Sequence, residues 1–220
     1  MELELIGFDL CPYVQRTRIT VLHKSIACKV THINRSRPPE WFRSLAPSGK
    51  VPLLRVNDHT VIFESAVINE YLDEISGGGL MPSDPLRRAF NRGWIEYASG
   101  LWNDLKGFMH AKSAPHFDAA ITALRAKCGW LERVVDADPY FNGTSPSLVD
   151  FAYAPILARI HALGADPLLH MNAAFPKVRR WSAALREIPA VNASLGADFR
   201  ALLHAAVRET GSYTATQMKL

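Results

Sequence analysis

The residue of this chain best placed to do covalent chemistry is Cys11, in the run Phe8-Asp9-Leu10-Cys11-Pro12-Tyr13-Val14. The segment before it alternates like a strand, and the segment after it has helical spacing. Proline is favoured at the first helical position, so Cys11 falls at the helix cap. There its sulfur faces unpaired backbone N–H groups and the positive end of the helix dipole. Both favour thiolate over thiol and are expected to lower the pKa from ~8.5 into the range ~3.5–7.5. Cys11 is therefore expected to be a nucleophile at neutral pH. Cys28 and Cys128 fall on apolar faces and read as structural.

Two other short segments carry recognition chemistry. Val51-Pro52 precedes an extended stretch. An ordinary strand-entry proline is one reading. A cis X-Pro bond is the other, and it would turn the N–H and C=O of Val51 outward to pair with a peptide-like ligand. Glu64-Ser65 opens a helix. Ser65 can cap that helix, or can join its backbone N–H groups to form an anion site. Glu64 beside it attracts an amine. A carboxylate receptor next to an ammonium receptor suits the γ-glutamyl end of glutathione.

The elements that must position these residues are legible in the hydrophobic periods. Glu2–Ile6 alternates as a strand, and Pro12–Lys24 is helical with Val14, Arg18, Val21 and Leu22 on one stripe. Lys29–Ile33 is a second strand, and Pro39-Glu40-Trp41-Phe42 opens a short helix. Val51–Val56 and Val61–Phe63 are strands around the turn Asn57-Asp58-His59. Glu64–Glu74 is a helix with Ala66, Val67, Ile68, Tyr71, Leu72 and Ile75 expected inward. The order β-α-β, then β-β-α, is the thioredoxin-like arrangement, and in such a sheet Pro52 is expected to be cis.

Residues 1–76 are accordingly read as a thioredoxin-like domain, residues 77–85 as a Gly- and Pro-rich linker, and residues 86–220 as an all-helical domain. Leu86, Phe90, Trp94, Tyr97, Leu101, Leu105 and Phe108 predict one long amphipathic helix. Further stripes run through Ile121–Val135, Val149–Leu163, Val178–Ile188 and Leu195–Ala206. Pro155 is expected to kink the third helix, and the polar last ten or so residues are expected to fray.

Composition excludes several classes. The formal net charge is +4, but the Lys and Arg residues form no run longer than a pair, so no nucleic-acid partner is expected. No apolar stretch approaches the ~20 residues of a membrane span, and the acidic, alternating N-terminus lacks the pattern of a signal peptide. Three cysteines do not make a disulfide framework. A cytoplasmic protein without a membrane partner is expected. His110 and His116 show no metal-ligand spacing, so no metal is expected.

The sequence resembles the glutathione transferases, and within that superfamily the cysteine-type, Omega-like enzymes. The resemblance is carried by Cys11-Pro12-Tyr13-Val14-Gln15-Arg16, by Pro39-Glu40-Trp41-Phe42, by Pro47 through Leu54, and by Phe63 through Glu74. In the helical half the superfamily's folding motif resembles Asn142 through Asp150, where Ser147 and Asp150 are close to a capping box. The resemblance implies a catalytic Cys11. It also implies a Val51 backbone paired with the glutathione cysteinyl unit, and Glu64 with Ser65 at the γ-glutamyl end.

Omega-like enzymes commonly carry a lysine before Pro-Glu-Trp-Phe, where this chain has Pro38. Lys50, in preference to Arg37, is therefore expected to hold the glycyl carboxylate. Glutaredoxins also open their site with Cys-Pro-Tyr, followed by a second cysteine that closes a disulfide. Here Val14 stands in that place, so an outside thiol must resolve any mixed disulfide.

The implied activity is glutathione-dependent thiol transfer, removal of glutathione from disulfide or glutathionylated acceptors, or dehydroascorbate reduction. Conjugation to an electrophilic acceptor is the alternative, and a non-catalytic binding protein of the same fold is a third reading. The resemblance also implies a homodimer. Tyr13, Trp102, Phe108, Met109 and His110 are the expected walls of an acceptor pocket.

Overall fold

In the computed structural model, residues 1–57 and 59–218 are described. The first part of the chain forms β1 (Leu3–Gly7), α1 (Pro12–His23), β2 (Lys29–His32), α2 (Glu40–Leu45), β3 (Leu53–Val56), β4 (Thr60–Phe63) and α3 (Ser65–Ile75). The strands lie in the order β2-β1-β3-β4. β1 and β2 are parallel, joined by α1, while β3 and β4 add to the sheet antiparallel. The β-α-β and β-β-α order of the sequence is thus realised as one mixed sheet. In the turn expected at Asn57-Asp58-His59, Asp58 lies outside the described residues.

The register of this sheet places the site. Leu53 pairs with Ile6 on one side and Phe63 on the other. Three segments therefore leave the sheet at one edge: the loop from β1 to Cys11, the Val51-Pro52 approach to β3, and the Glu64-Ser65 exit from β4. That edge is the carboxyl end of the parallel pair, where open α/β sheets bind ligands. The end of β1 also lies hard against α1, since a Cβ on Gly7 would come within 2.5 Å of Val14.

α1 is covered on more than one side. It packs against α3 and against two helices of the second part, α6 (Leu148–Ala162) and α9 (Pro189–Leu195). The single stripe expected from the sequence is corrected accordingly. Val14, Ile19 and Val21 are buried, but so are Gln15, Arg16, Thr17 and Thr20, while Leu22 is exposed. Two of these polar side chains find partners across the junction. Gln15 Nε2 donates to Ser194 Oγ at 3.0 Å, and Arg16 Nε donates to the Ala152 carbonyl at 3.1 Å.

The remaining helices are α4 (Pro85–Met109), α5 (Ala114–Val134), α7 (Met171–Ala174), α8 (Pro176–Glu187), α10 (Phe199–Glu209) and α11 (Tyr213–Gln217). α6 is the central one: every residue in it is buried except His161. Pro155 sits inside α6 and does not end it.

Three expectations are revised in this part. The stripe from Leu195 to Ala206 is two helices, because Gly196 adopts a left-handed φ of 74° and stops α9 at Leu195. The C-terminal stretch is docked as α11: the Tyr213 N–H donates to the Ala111 carbonyl at 2.7 Å and the Thr214 hydroxyl to the Phe108 carbonyl. Lys219 and Leu220 lie outside the described residues. Finally, Val67, Ile75, Leu86 and Phe90 face outward, although their spacing matches the buried stripes of α3 and α4.

Candidate functional site

Cys11 is the N-cap of α1, with extended backbone (φ −76°, ψ 117°) and Pro12 at the first helical position. The approach is a tight turn in which Leu10 takes a left-handed φ of 61°. A non-glycine residue there needs its surroundings to hold it. The Leu10 carbonyl accepts a 2.9 Å hydrogen bond from Arg159 Nη2 on α6. Side chains of the second part of the chain therefore fix the loop that presents the thiol.

The thiol itself is only 7% exposed. Burial pushes it above the ordinary thiol value. Against this act the N–H groups of Val14 and Tyr13 and the guanidinium groups of Arg159 and Arg35. Those N–H groups point toward the sulfur without closing a full capping hydrogen bond. The depressed pKa expected from the cap alone is therefore corrected: desolvation by burial outweighs the helix terminus.

Arg159 is the feature that sequence reasoning missed. It is 1% exposed and has no carboxylate partner among the described residues. Its guanidinium donates to Gln15 Oε1 at 2.7 Å and to the Pro155 and Leu10 carbonyls, and it lies over the rings of Trp102 and Phe199. Burial lowers its pKa to about 10, opposed by the charge of Cys11. One signal was available in the sequence: a lone arginine in the otherwise apolar run Ala154-Pro155-Ile156-Leu157-Ala158. A cation in a core is costly unless its donors find partners there.

A cavity of about 700 Å³ opens beside Cys11. The sheet side contributes Cys11, Tyr13, Arg35, Lys50 and Val51. The helical side contributes Trp102, Lys106, Met109 and His110 from α4, Arg159 from α6, and Leu203 and Val207 from α10. Of the expected site residues, Cys11, Lys50 and Val51 thus share one cavity. The Val51–Pro52 peptide bond is cis. The N–H and C=O of Val51 have no hydrogen-bond partner among the described residues.

Glu64 and Ser65 do not line this cavity, but they follow Phe63, the strand partner of Leu53, and so sit beside Val51-Pro52. Glu64 is the exposed N-cap of α3 with a left-handed φ of 68°, and Ser65 is the buried first residue of that helix. Neither side chain caps the helix, which leaves its first N–H groups free for a ligand. Arg37 is not a lining residue, whereas Arg35 is. Phe108 belongs to the helical core.

The other cysteines stand apart. Cys128 is fully buried in the helical core, and burial pushes its thiol up to about 12. Cys28 precedes β2 at the opposite edge of the sheet. Among the described residues no group of three or more His, Cys, Asp or Glu could hold a metal, and no helix is long and apolar enough to cross a membrane.

Comparison with known proteins gives a consistent picture. The family model "Glutathione S-transferase, N-terminal domain" matches residues 10–75, and "Glutathione S-transferase, C-terminal domain" matches residues 114–184. The chain is 34% identical over 194 residues to glutathione S-transferase omega-1 of Sus scrofa, covering 87% of this chain and 79% of that one. It is 30% identical over 201 residues to glutathione S-transferase U17 of Arabidopsis thaliana, covering 86% and 88%. The crystal structure of glutathione transferase Omega 3C from Trametes versicolor superposes with a TM-score of 0.83 at 24% identity, covering 96% and 92%.

Proposed function

The chain belongs to the glutathione S-transferase family and is a glutathione-dependent enzyme, and on that premise we propose that it works by thiol transfer through Cys11. The observation that carries this reading is a cysteine, with no neighbouring cysteine to resolve it, at the cap of α1 and on the wall of a cavity that also holds Lys50 and Val51.

The Cys11 thiolate attacks the glutathione sulfur of a glutathionylated acceptor. A sulfur–sulfur bond forms between Cys11 and glutathione, the acceptor–glutathione bond breaks, and the acceptor leaves as a thiolate that takes up a proton. The thiolate of a second glutathione then attacks the Cys11–glutathione disulfide. Oxidised glutathione leaves, and Cys11 returns as a thiolate. The Val51 backbone pairs with the cysteinyl unit, Lys50 holds the glycyl carboxylate, and Glu64 with the N-terminus of α3 receives the γ-glutamyl end. Desolvation opposes formation of the Cys11 thiolate; Arg159 and the N–H groups of Tyr13 and Val14 support it once formed.

We place the same chemistry in a homodimer. Phe63 and Val67 stand outward around the start of α3, and Leu86 and Phe90 stand outward on the first turns of α4. The Glu70–Arg92 ion pair joins the outer faces of those two helices.

The test is glutathione-dependent reduction of a mixed disulfide by wild type, Cys11→Ser and Cys11→Ala. Both variants are expected to lose reduction almost completely. Undiminished turnover in Cys11→Ala would sink the mechanism. If conjugation is instead the activity, a chlorinated aromatic electrophile will be consumed by the wild type faster than any disulfide.

A further inference from the structure

The charges around the cavity are unbalanced in a way that glutathione alone does not use. Its walls carry Arg35, Lys50, Lys106 and Arg159 against a single carboxylate, Asp9. Asp9 is already engaged, with Oδ1 3.1 Å from His32 Nδ1. Arg35, Lys50 and Lys106 form no ion pair among the described residues.

In the binding mode proposed above, the γ-glutamyl end is a zwitterion answered by Glu64 and the N-terminus of α3, and the glycyl carboxylate takes Lys50. Arg159 is committed to the Leu10 loop, Gln15 and the thiol. Arg35 and Lys106 are then left over, on opposite walls. Lys106 shares α4 with Trp102 and Met109, and Val207 of α10 lines the same side, so the free cations border an apolar, aromatic surface. The positive field there is registered by His110. Its pKa is lowered by burial and then by Lys106, Lys112 and Arg35, so that it stands neutral among cations.

We propose that the part of the cavity between Arg35 and Lys106 selects acceptors that are anionic and aromatic, with a carboxylate or similar anion carried on a ring next to the sulfur of bound glutathione. This rests on the glutathione reading of the preceding subsection and names the acceptor class that reading leaves open. The ring packs on Trp102 and Met109, and the anion lies toward Arg35 and Lys106. Cations at the mouth of a low-dielectric cavity raise the local concentration of anions and speed their capture.

The test uses two unreactive thioethers of one shape, S-(4-carboxybenzyl)glutathione and S-(4-carbamoylbenzyl)glutathione, titrated calorimetrically into the full chain. The acid is expected to bind about tenfold more tightly than the amide at low ionic strength, and added salt should narrow the gap by screening. In Lys106→Gln with Arg35→Gln the acid-to-amide ratio should fall toward one. Glutamine keeps the helical preference of α4, so loss of fold is not the expected cause. Equal binding of acid and amide to the wild type would overturn the charge selection while leaving the glutathione site standing. So would an undiminished preference in the double variant. Failure of both compounds to bind would remove the glutathione site, and this inference with it.

Discussion

Arg159 and Cys11 illustrate how a residue can be read correctly by type and incompletely by environment. The sequence places Cys11 at a helix cap, and the structure does the same. Its titration depends on something the cap does not contain: how deeply the fold buries it, and the Arg159 guanidinium that α6 brings near it. Replacing Arg159 with Met removes a positive charge that favours the thiolate, so the Cys11 pKa should rise further. Arg159→Lys should restore part of the difference. Alkylation of Cys11 against pH, in a Cys28→Ser background, measures this directly. An unchanged midpoint in Arg159→Met would mean that the guanidinium only holds the Leu10 loop. Arg159→Met should also cost about 2–4 kcal/mol of stability, because it leaves the Gln15 and Leu10 oxygens without their donor.

At the scale of the element, α6 shows what local sequence can fix. Ser147 and Asp150 form the capping box that their spacing predicts. The structure adds what spacing could not show. Asp150 Oδ1 accepts from the Phe141 N–H at 2.9 Å and from Trp181 Nε1 at 2.6 Å, while Oδ2 accepts from the N–H and hydroxyl of Ser147. One carboxylate thus ties the start of α6 to the preceding loop and to α8. An amide keeps only one acceptor oxygen and would turn its NH2 toward donors. Asp150→Asn should therefore lose about 2–4 kcal/mol, read as a lower urea midpoint at unchanged m-value. A loss below about 0.5 kcal/mol would show that the network relaxes around the amide.

Across the whole molecule, buried titratable groups set the pH range of the fold. Burial pushes Cys128 up to about 12 from 9.0, and pushes Cys11, Cys28 and Tyr153 in the same direction. A group whose folded pKa is raised keeps its stabilising contribution below the unfolded value and loses it as pH climbs through the folded one. Stability should therefore fall above pH 9. Cys128 alone accounts for about three pH units at 1.36 kcal/mol each, on the order of 4 kcal/mol. His23 and His110 act with the other sign. Burial lowers both from 6.5, so their contribution is lost as pH falls below that value. Urea midpoints across pH should peak between these limits, and Cys128→Ala should flatten the alkaline limb. A wild-type midpoint that holds steady from pH 9 to 11 would contradict this. The dimer is tested at the same scale. Phe90→Glu should shift the sedimentation coefficient to that of a monomer, and a single monomeric species for the wild type would remove the proposed interface.

The sequence by itself determined the order of elements in the first part of the chain, the place of Cys11 at a cap, the lack of a resolving partner at Val14, and the capping box of α6. All of these depend on neighbours a few residues apart, where backbone geometry and period leave little choice. The tertiary structure alone decided how α1 is covered and which positions of α3 and α4 stay outside. Gln15, Arg16 and Arg159 are buried because α1 lies between the sheet and the helices of the second part, and polar groups find partners across that junction. Leu86, Phe90 and Val67 face outward because the buried stripes run one position further on, through Asn91, Ile95 and Ala98 in α4 and through Ile68 and Leu72 in α3. The charge of the cavity was equally beyond one-dimensional reading. Arg35, Lys106 and Arg159 are far apart along the chain, and only the closing of the helices over the carboxyl edge of the sheet brings them around one thiol.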